Sequence, residues 1–206
     1  MPELVPSFAH AALIVIDVQN DFCPGGALAV KDGNAIVPRV NALIAQFDEV
    51  ILTQDWHPPH HSSFASSHPG AAPFSSTLMP YGPQTLWPDH CIQGTPGAEF
   101  HPGLEFAKAQ LIIRKGFRKN IDSYSAFFEN DRKTPTGLAG YLRDRGLGQL
   151  VLVGLATDYC VAYSALDAAK LGFETAVLME ACRAIDLNGS MAAAEAQMLG
   201  AGVRLV

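Results

Sequence analysis

The chain has 206 residues, enough for one well-buried domain and short for two. Apolar side chains make up 49 % and charged ones 17 %, so a large core is available. The net charge of −6 argues against nucleic acid or an anionic membrane as the main partner. Cys23, Cys91, Cys160 and Cys182 show neither the paired spacing of a disulfide scaffold nor a CxxC knuckle, which suits a reducing compartment. Met1-Pro2-Glu3-Leu4 lacks a basic leader region, and the apolar stretch from Ala11 to Ile16 ends at Asp17, too short for a membrane span. A cytoplasmic protein is expected.

A strand-then-helix rhythm runs along the chain. Ala12 to Ile16 reads as a buried strand ending at Asp17, and Asn34 to Gln46 carries apolar residues at helical spacing. Val50 to Thr53 is a second strand ending near Asp55. Gln110 to Ile113 is a third, ending at Lys115, followed by a helix from Thr136 to Arg145. Gln149 to Val153 is the fourth. It breaks at Gly154 and leads into a helix from about Thr157 to Leu171, with Gly172 as its stop. Glu174 to Leu178 and Val203 to Val206 complete a set of about six, with a helix from Ser190 to Leu199 between them. Such alternation implies a parallel sheet covered by helices on both faces, an α/β/α sandwich of the Rossmann-like kind. Ligands bind outside the carboxyl ends of such strands.

Residues 56–109 break the rhythm and hold nine of the fourteen prolines and six of the seven histidines. Phe64, Phe74, Leu78, Tyr81, Leu86, Trp87 and Phe100 give this stretch apolar anchors, so it reads as an active-site insertion folded over the strand ends. No internal repeat or second core is evident. The expectation is a single domain over 1–206.

Asp17, Asp55, Lys115 and Cys160 all fall at or just past strand ends, and four such residues on one rim make a pocket. Cys160 is placed in the first turn of a helix, where free N–H groups and the helix dipole favour a thiolate and can hold an oxyanion. The plainer reading of Cys160 is an inert core thiol. Asp17 follows five apolar residues and is a candidate proton acceptor, although a loop carboxylate capping a turn would look the same. Lys115 supplies a cation to fix the base, or is a solvated charge. In extended chain Asp55 and His57 point to the same face and suit a borderline metal, with His90 completing a facial set and His61 a further ligand or supporting partner. There is no G-x-S-x-G elbow, no H-E-x-x-H and no dinucleotide loop.

Asp17, Lys115 and Cys160, together with Asp17-Val18-Gln19-Asn20-Asp21-Phe22 and Gly154-Leu155-Ala156-Thr157-Asp158-Tyr159-Cys160, resemble the isochorismatase-like cysteine hydrolases. Within that family, Asp55-Trp56-His57-Pro58, His61, Trp87-Pro88-Asp89-His90-Cys91 and Gly94-Thr95-Pro96-Gly97 are similar to the nicotinamidases (pyrazinamidases). The resemblance covers nearly the whole chain, with its motifs in matching order. It implies a catalytic triad of Cys160, Asp17 and Lys115, and one divalent metal on Asp55, His57 and His90: zinc first, iron or manganese as alternatives. It also implies an oxyanion hole from the backbone N–H groups of Ala156 and Cys160, a cis peptide at Leu155–Ala156, and an aromatic pocket of Phe22, Trp87 and Tyr124. The implied reaction is hydrolysis of nicotinamide to nicotinate and ammonia through a cysteine thioester, in NAD salvage, with pyrazinamide as a second substrate. The expected protein is a monomer or homodimer with no nucleic-acid or membrane partner. The alternative is a metal-free relative acting on carbamoyl or ureido substrates.

Overall fold

The computed structural model describes residues 10–206; Met1 to Leu4, from which the lack of a leader was read, lie outside them. In chain order the main elements are β1 (Ala12–Ile16), α1 (Val37–Gln46), β2 (Glu49–Asp55), β3 (Ser76–Met79), β4 (Gly82–Thr85) and β5 (Leu111–Lys115). They continue with α2 (Leu138–Asp144), β6 (Gln149–Leu155), α3 (Ala162–Lys170), β7 (Glu174–Arg183), α4 (Ser190–Gly200) and β8 (Arg204–Leu205). Six strands form one parallel sheet in the order β5-β2-β1-β6-β7-β8, flanked by helices as a three-layer α/β/α fold. The continuous apolar runs explain the arrangement: all of β1 and Leu150 to Val153 of β6 are buried, as a strand covered on both faces must be. The chain lays down β1, β2 and β5 towards one edge, then β6, β7 and β8 towards the other. The direction of travel therefore reverses between β1 and β6, where ligand crevices form.

Several boundaries differ from the sequence reading, each for a local reason. The first helix begins as a 3-10 turn over Gly33–Ile36, and α-helix starts only at Val37, with Pro38 in its first turn where a missing N–H costs nothing. The second is shorter than expected because Thr136 stays outside it, its hydroxyl donating to the Ala126 carbonyl (2.6 Å) and accepting from the Leu138 N–H (3.2 Å). Gly154 does not end its strand. β6 continues to Leu155, and the glycine is there because a Cβ would lie 2.0 Å from the Ile16 carbonyl oxygen of β1, at a φ of +123°. β7 runs five residues past Leu178, to Arg183, after a register shift between Leu152 and Gly154 of its partner β6.

The segment 56–109 contains an antiparallel hairpin, β3–β4, absent from the sequence reading. Its apolar signal is weak because Leu78 is 80 % exposed and Pro83 sits in the second strand. Buried Phe64 and Trp87 pair across an isolated bridge within the segment, and a second bridge, Gln19 with Phe100, ties its far end to the chain after β1.

Candidate active site

Four polar groups meet at the strand ends, and Lys115, the last residue of β5, stands at their centre. Its ammonium lies 2.8 Å from Asp17 Oδ2, 2.9 Å from Asp55 Oδ1, 3.0 Å from the Ser123 carbonyl and 3.4 Å from Cys160 Sγ. Three protons serve four acceptors in a fully buried place. Burial opposes the charge on Lys115, but the two carboxylates and the thiol outweigh it and hold its pKa well above the ordinary lysine range.

Asp17 directly follows β1 in a left-handed conformation (φ 47°) and is fully buried. The Thr53 hydroxyl fixes it twice, accepting from the Asp17 N–H (3.1 Å) and donating to Oδ1 (2.6 Å). Burial raises the Asp17 pKa against the pull of Lys115. Thr53 looked like an ordinary strand residue in the sequence. Its only signal is that an inward threonine in an apolar run needs a partner.

Cys160 sits in a single π-turn, Thr157–Val161, rather than in the first turn of an α-helix. The Tyr159 and Val161 N–H groups both bond the Ala156 carbonyl, at 3.2 and 3.1 Å. The Leu155–Ala156 peptide is cis, as expected. Burial pushes the Cys160 thiol well above its usual range, Lys115 opposes this, and the charges of Asp17 and Asp55 add to it. A helix-end rule leaves out this burial and the two neighbouring carboxylates.

Asp55, His57 and His90 converge as well, all three buried. The Nδ1 of His57 faces the Gly116 carbonyl (3.0 Å) and that of His90 the Pro88 carbonyl (2.8 Å). A carbonyl only accepts, so each Nδ1 carries the proton and each Nε2 presents a lone pair. Those Nε2 atoms lie 3.2 and 3.5 Å from Asp55 Oδ2. Three electron-rich atoms so close repel one another without a positive charge between them, so the donor set fits a divalent ion. At His57 burial disfavours the charged form, while the Asp55 carboxylate favours it and raises the pKa. Asp55 shows the reverse, burial being outweighed by Lys115 and His57, which hold it well below the usual carboxylate range.

The structure does not leave His61 free for this cluster. Its Nε2 faces the carbonyls of Arg118 (2.9 Å) and Ile121 (3.2 Å), and its Nδ1 meets the Ser63 hydroxyl (2.8 Å) and N–H (3.2 Å). Its ligand atoms also lie near His57 and Asp122, but both nitrogens are engaged, and the ring packs against His57 at 4.5 Å.

Sequence reasoning missed several supports. The Gln19 side chain pairs with both backbone groups of Asp55, each at 2.8 Å. The Asp21 carboxylate accepts the Cys91 N–H (2.7 Å) and the Ala27 N–H (3.1 Å), anchoring the residue after His90. Asp122 accepts from the Ser123 N–H and from Gln84 Nε2, both at 2.8 Å. Amide and capping side chains carry no chemical signature of their own, so only their place inside known motifs could have found Gln19 and Asp21.

Gly116 supplies a test of this packing. Its φ is +68°, and a Cβ there would stand 2.5 Å from His57 Cε1 and 3.2 Å from Asp55 Oδ1. Gly116→Ala is expected to lower stability by about 1–3 kcal/mol and to reduce bound metal, read by thermal melting and metal analysis of the purified protein.

A narrow cavity opens between these groups, lined by Phe22, Trp87, Tyr124, Tyr159, Cys160 and Ile185 among others. Trp87 Nε1 donates to the Tyr124 hydroxyl (3.1 Å), and the Trp87, Tyr124 and Tyr159 rings meet edge to face. Phe22 packs edge-on to His90 at 5.5 Å. All three residues expected in an aromatic pocket therefore line one cavity.

Fold and site together define a three-layer α/β protein with a thiol, a carboxylate and an ammonium gathered at its topological switch point. The chain belongs to the isochorismatase domain family, which matches residues 11–204. It is 56 % identical to a nicotinamidase of Acinetobacter baylyi over 96 % of this chain and 92 % of that one. The solved structure of an Acinetobacter baumanii nicotinamidase/pyrazinamidase superposes with a TM-score of 0.95 at 56 % identity, covering 96 % of each chain. A pyrazinamidase of Pyrococcus horikoshii solved with zinc gives a TM-score of 0.77 at 37 % identity, covering 96 % of this chain and 98 % of the other. Among the described residues no helix is long and apolar enough to cross a membrane.

Proposed function

We propose that this chain hydrolyses nicotinamide to nicotinate and ammonia in NAD salvage, and accepts pyrazinamide as well, acting as one domain over 1–206 in the cytoplasm. The observation that carries the reading is the shared position of Lys115, which joins the Asp17–Cys160 pair to the Asp55, His57 and His90 cluster around one aromatic cavity. The relatives named above support the substrate.

The residues account for each step. Asp17, ionised and next to the thiol, takes the Cys160 proton as sulfur attacks the carboxamide carbon. The tetrahedral oxyanion is held by the N–H groups of Ala156 and Cys160, each such donor being worth about 3 kcal/mol. Protonated Asp17 then delivers its proton to the departing ammonia, leaving a thioester. Water loses a proton to Asp17 as it attacks the thioester, and the acid is released with the thiol restored. Lys115 keeps Asp17 in place and offsets its charge. Asp55, His57 and His90 would hold the metal, zinc in our reading, which supplies a Lewis acid able to take a pyridine nitrogen and so fix the ring. Phe22, Trp87 and Tyr124 flank that ring.

The test is ammonia release from nicotinamide by the metal-loaded protein, repeated after chelation. Chelation is expected to cost about 100-fold or more, since even losing an outer partner of a ligand costs about 10–100-fold. No ammonia from the loaded protein would overturn the substrate. Undiminished turnover after chelation, or turnover of a ureido compound instead, would favour a metal-free relative.

A further inference from the structure

Asp158 is a buried carboxylate two residues before Cys160 that none of these steps uses. It faces the backbone leaving β7. Its Oδ1 accepts the Ile185 N–H at 3.0 Å, and its Oδ2 accepts the Asp186 N–H at 2.8 Å and the Ser190 hydroxyl. Three donors on one carboxylate are a dense attachment for a loop. The segment needs it, because Asp186, Asn188 and Gly189 all sit at positive φ (54°, 54° and 81°), and Asp186 and Asn188 hold that conformation at a cost. The segment also carries Ile185, whose side chain forms part of the cavity wall alongside Cys160, Tyr159 and Ala156. One short turn therefore carries the thiol and grips the opposing wall.

We propose that Asp158 is a positioning residue that clamps segment 184–190 against the cavity, and that Ile185, carried on that segment, sets the size of amide the site admits. This rests on the reading of the cavity as the substrate site. The clamp fixes the distance from wall to thiol. Asp158→Asn keeps the shape but turns one acceptor into a donor facing donors, which releases the segment. Ile185→Ala keeps the clamp and removes only the wall, opening room for a larger ring.

Hydrogen exchange tests the clamp and competition between amides tests the wall. In Asp158→Asn the Ile185 and Asp186 amides are expected to exchange at least tenfold faster, with the β1 and β6 amides keeping wild-type protection. In Ile185→Ala the ratio of kcat/KM for quinoline-3-carboxamide to that for nicotinamide is expected to rise at least fivefold, and the ratio of Cys160 alkylation by N-phenylmaleimide to that by iodoacetamide should rise with it. Wild-type protection at Ile185 and Asp186 in Asp158→Asn overturns the clamp. If Asp158→Asn loses protection in β1 as well, Ser190→Ala, which removes one of the three bonds, decides: no faster exchange at Asp186 there overturns the clamp. Ratios within twofold of wild type in Ile185→Ala overturn the wall. Wild-type protein inert toward nicotinamide would sink the substrate, while the exchange and alkylation arms still read the clamp and wall.

Discussion

Cys160→Ala is expected to abolish ammonia release, lowering kcat by about 10⁴-fold or more, as loss of a covalent nucleophile does. The thiol is buried with Lys115 and Asp17 around it, and alanine offers no atom that could form the thioester. Folding should survive, because alanine fills a 7 %-exposed position with little lost volume. Steady-state assays and a melting curve separate the two effects; a variant retaining a tenth of wild-type turnover would remove Cys160 from the chemistry. The acid limb of the wild-type profile belongs to the same centre. Asp17 acts as base only when ionised, and burial raises its pKa above 3.8, so kcat/KM should fall as pH drops through that raised value. Its effect on stability has the opposite sign. The folded state holds this proton more tightly than the unfolded chain does, so ionised Asp17 opposes folding at neutral pH and stops opposing it as acid titrates it.

Lys115→Met should be the most damaging substitution for stability as well as for activity. It leaves Asp17 and Asp55 buried with their shared cation removed, and breaking one side of a buried ion pair costs about 3–5 kcal/mol. For a chain of this length, about 2–4 °C is lost per kcal/mol, so Tm should drop by roughly 6–20 °C. Activity should fall with it, since Asp17 then takes up a proton and ceases to be a base. A Tm within about 2 °C of wild type would show that the two carboxylates do not depend on this ammonium. Lys115→Arg tests geometry separately. The charge remains, but a planar guanidinium cannot reach Asp17, Asp55, the Ser123 carbonyl and Cys160 from one point.

The rim of the site was legible because it depends on strand ends, and the strands are legible. Five apolar residues before Asp17, the run before Gly154 and the stretch ending at Lys115 each fix where a polar residue emerges. The spacing of Asp55, His57 and His90 inside a histidine-rich segment was readable for the same reason. What sequence could not show was the surroundings. The elevation of the Cys160 thiol follows first from its burial, and the depression of Asp55 from the Lys115 and His57 charges beside it; a strand-end rule carries neither. The π-turn at Thr157–Val161 was hidden because hydrogen-bond register within a turn leaves no trace in composition. The β3–β4 hairpin was hidden because its outward side chains, Leu78 above all, reverse the usual pattern of burial. Thr53, Gln19 and Asp158 act through hydrogen bonds alone, and their residue types occur everywhere.

The stretch from Asp17 to Phe22 makes contacts of four separate kinds: to Thr53 and Lys115, to the backbone of Asp55, to the Cys91 amide, and to the His90 ring. A single residue inserted or deleted there would put the base, the carboxylate strand and the histidine loop out of step at once. Chain length is therefore rigid at this point. The tip of the β3–β4 hairpin has an exposed side chain at Leu78 and a turn through Pro80 and Tyr81, and there the chain can grow or shrink at little cost to the centre. Changes in length that leave the chemistry intact should collect at that tip and be absent from the six residues after β1.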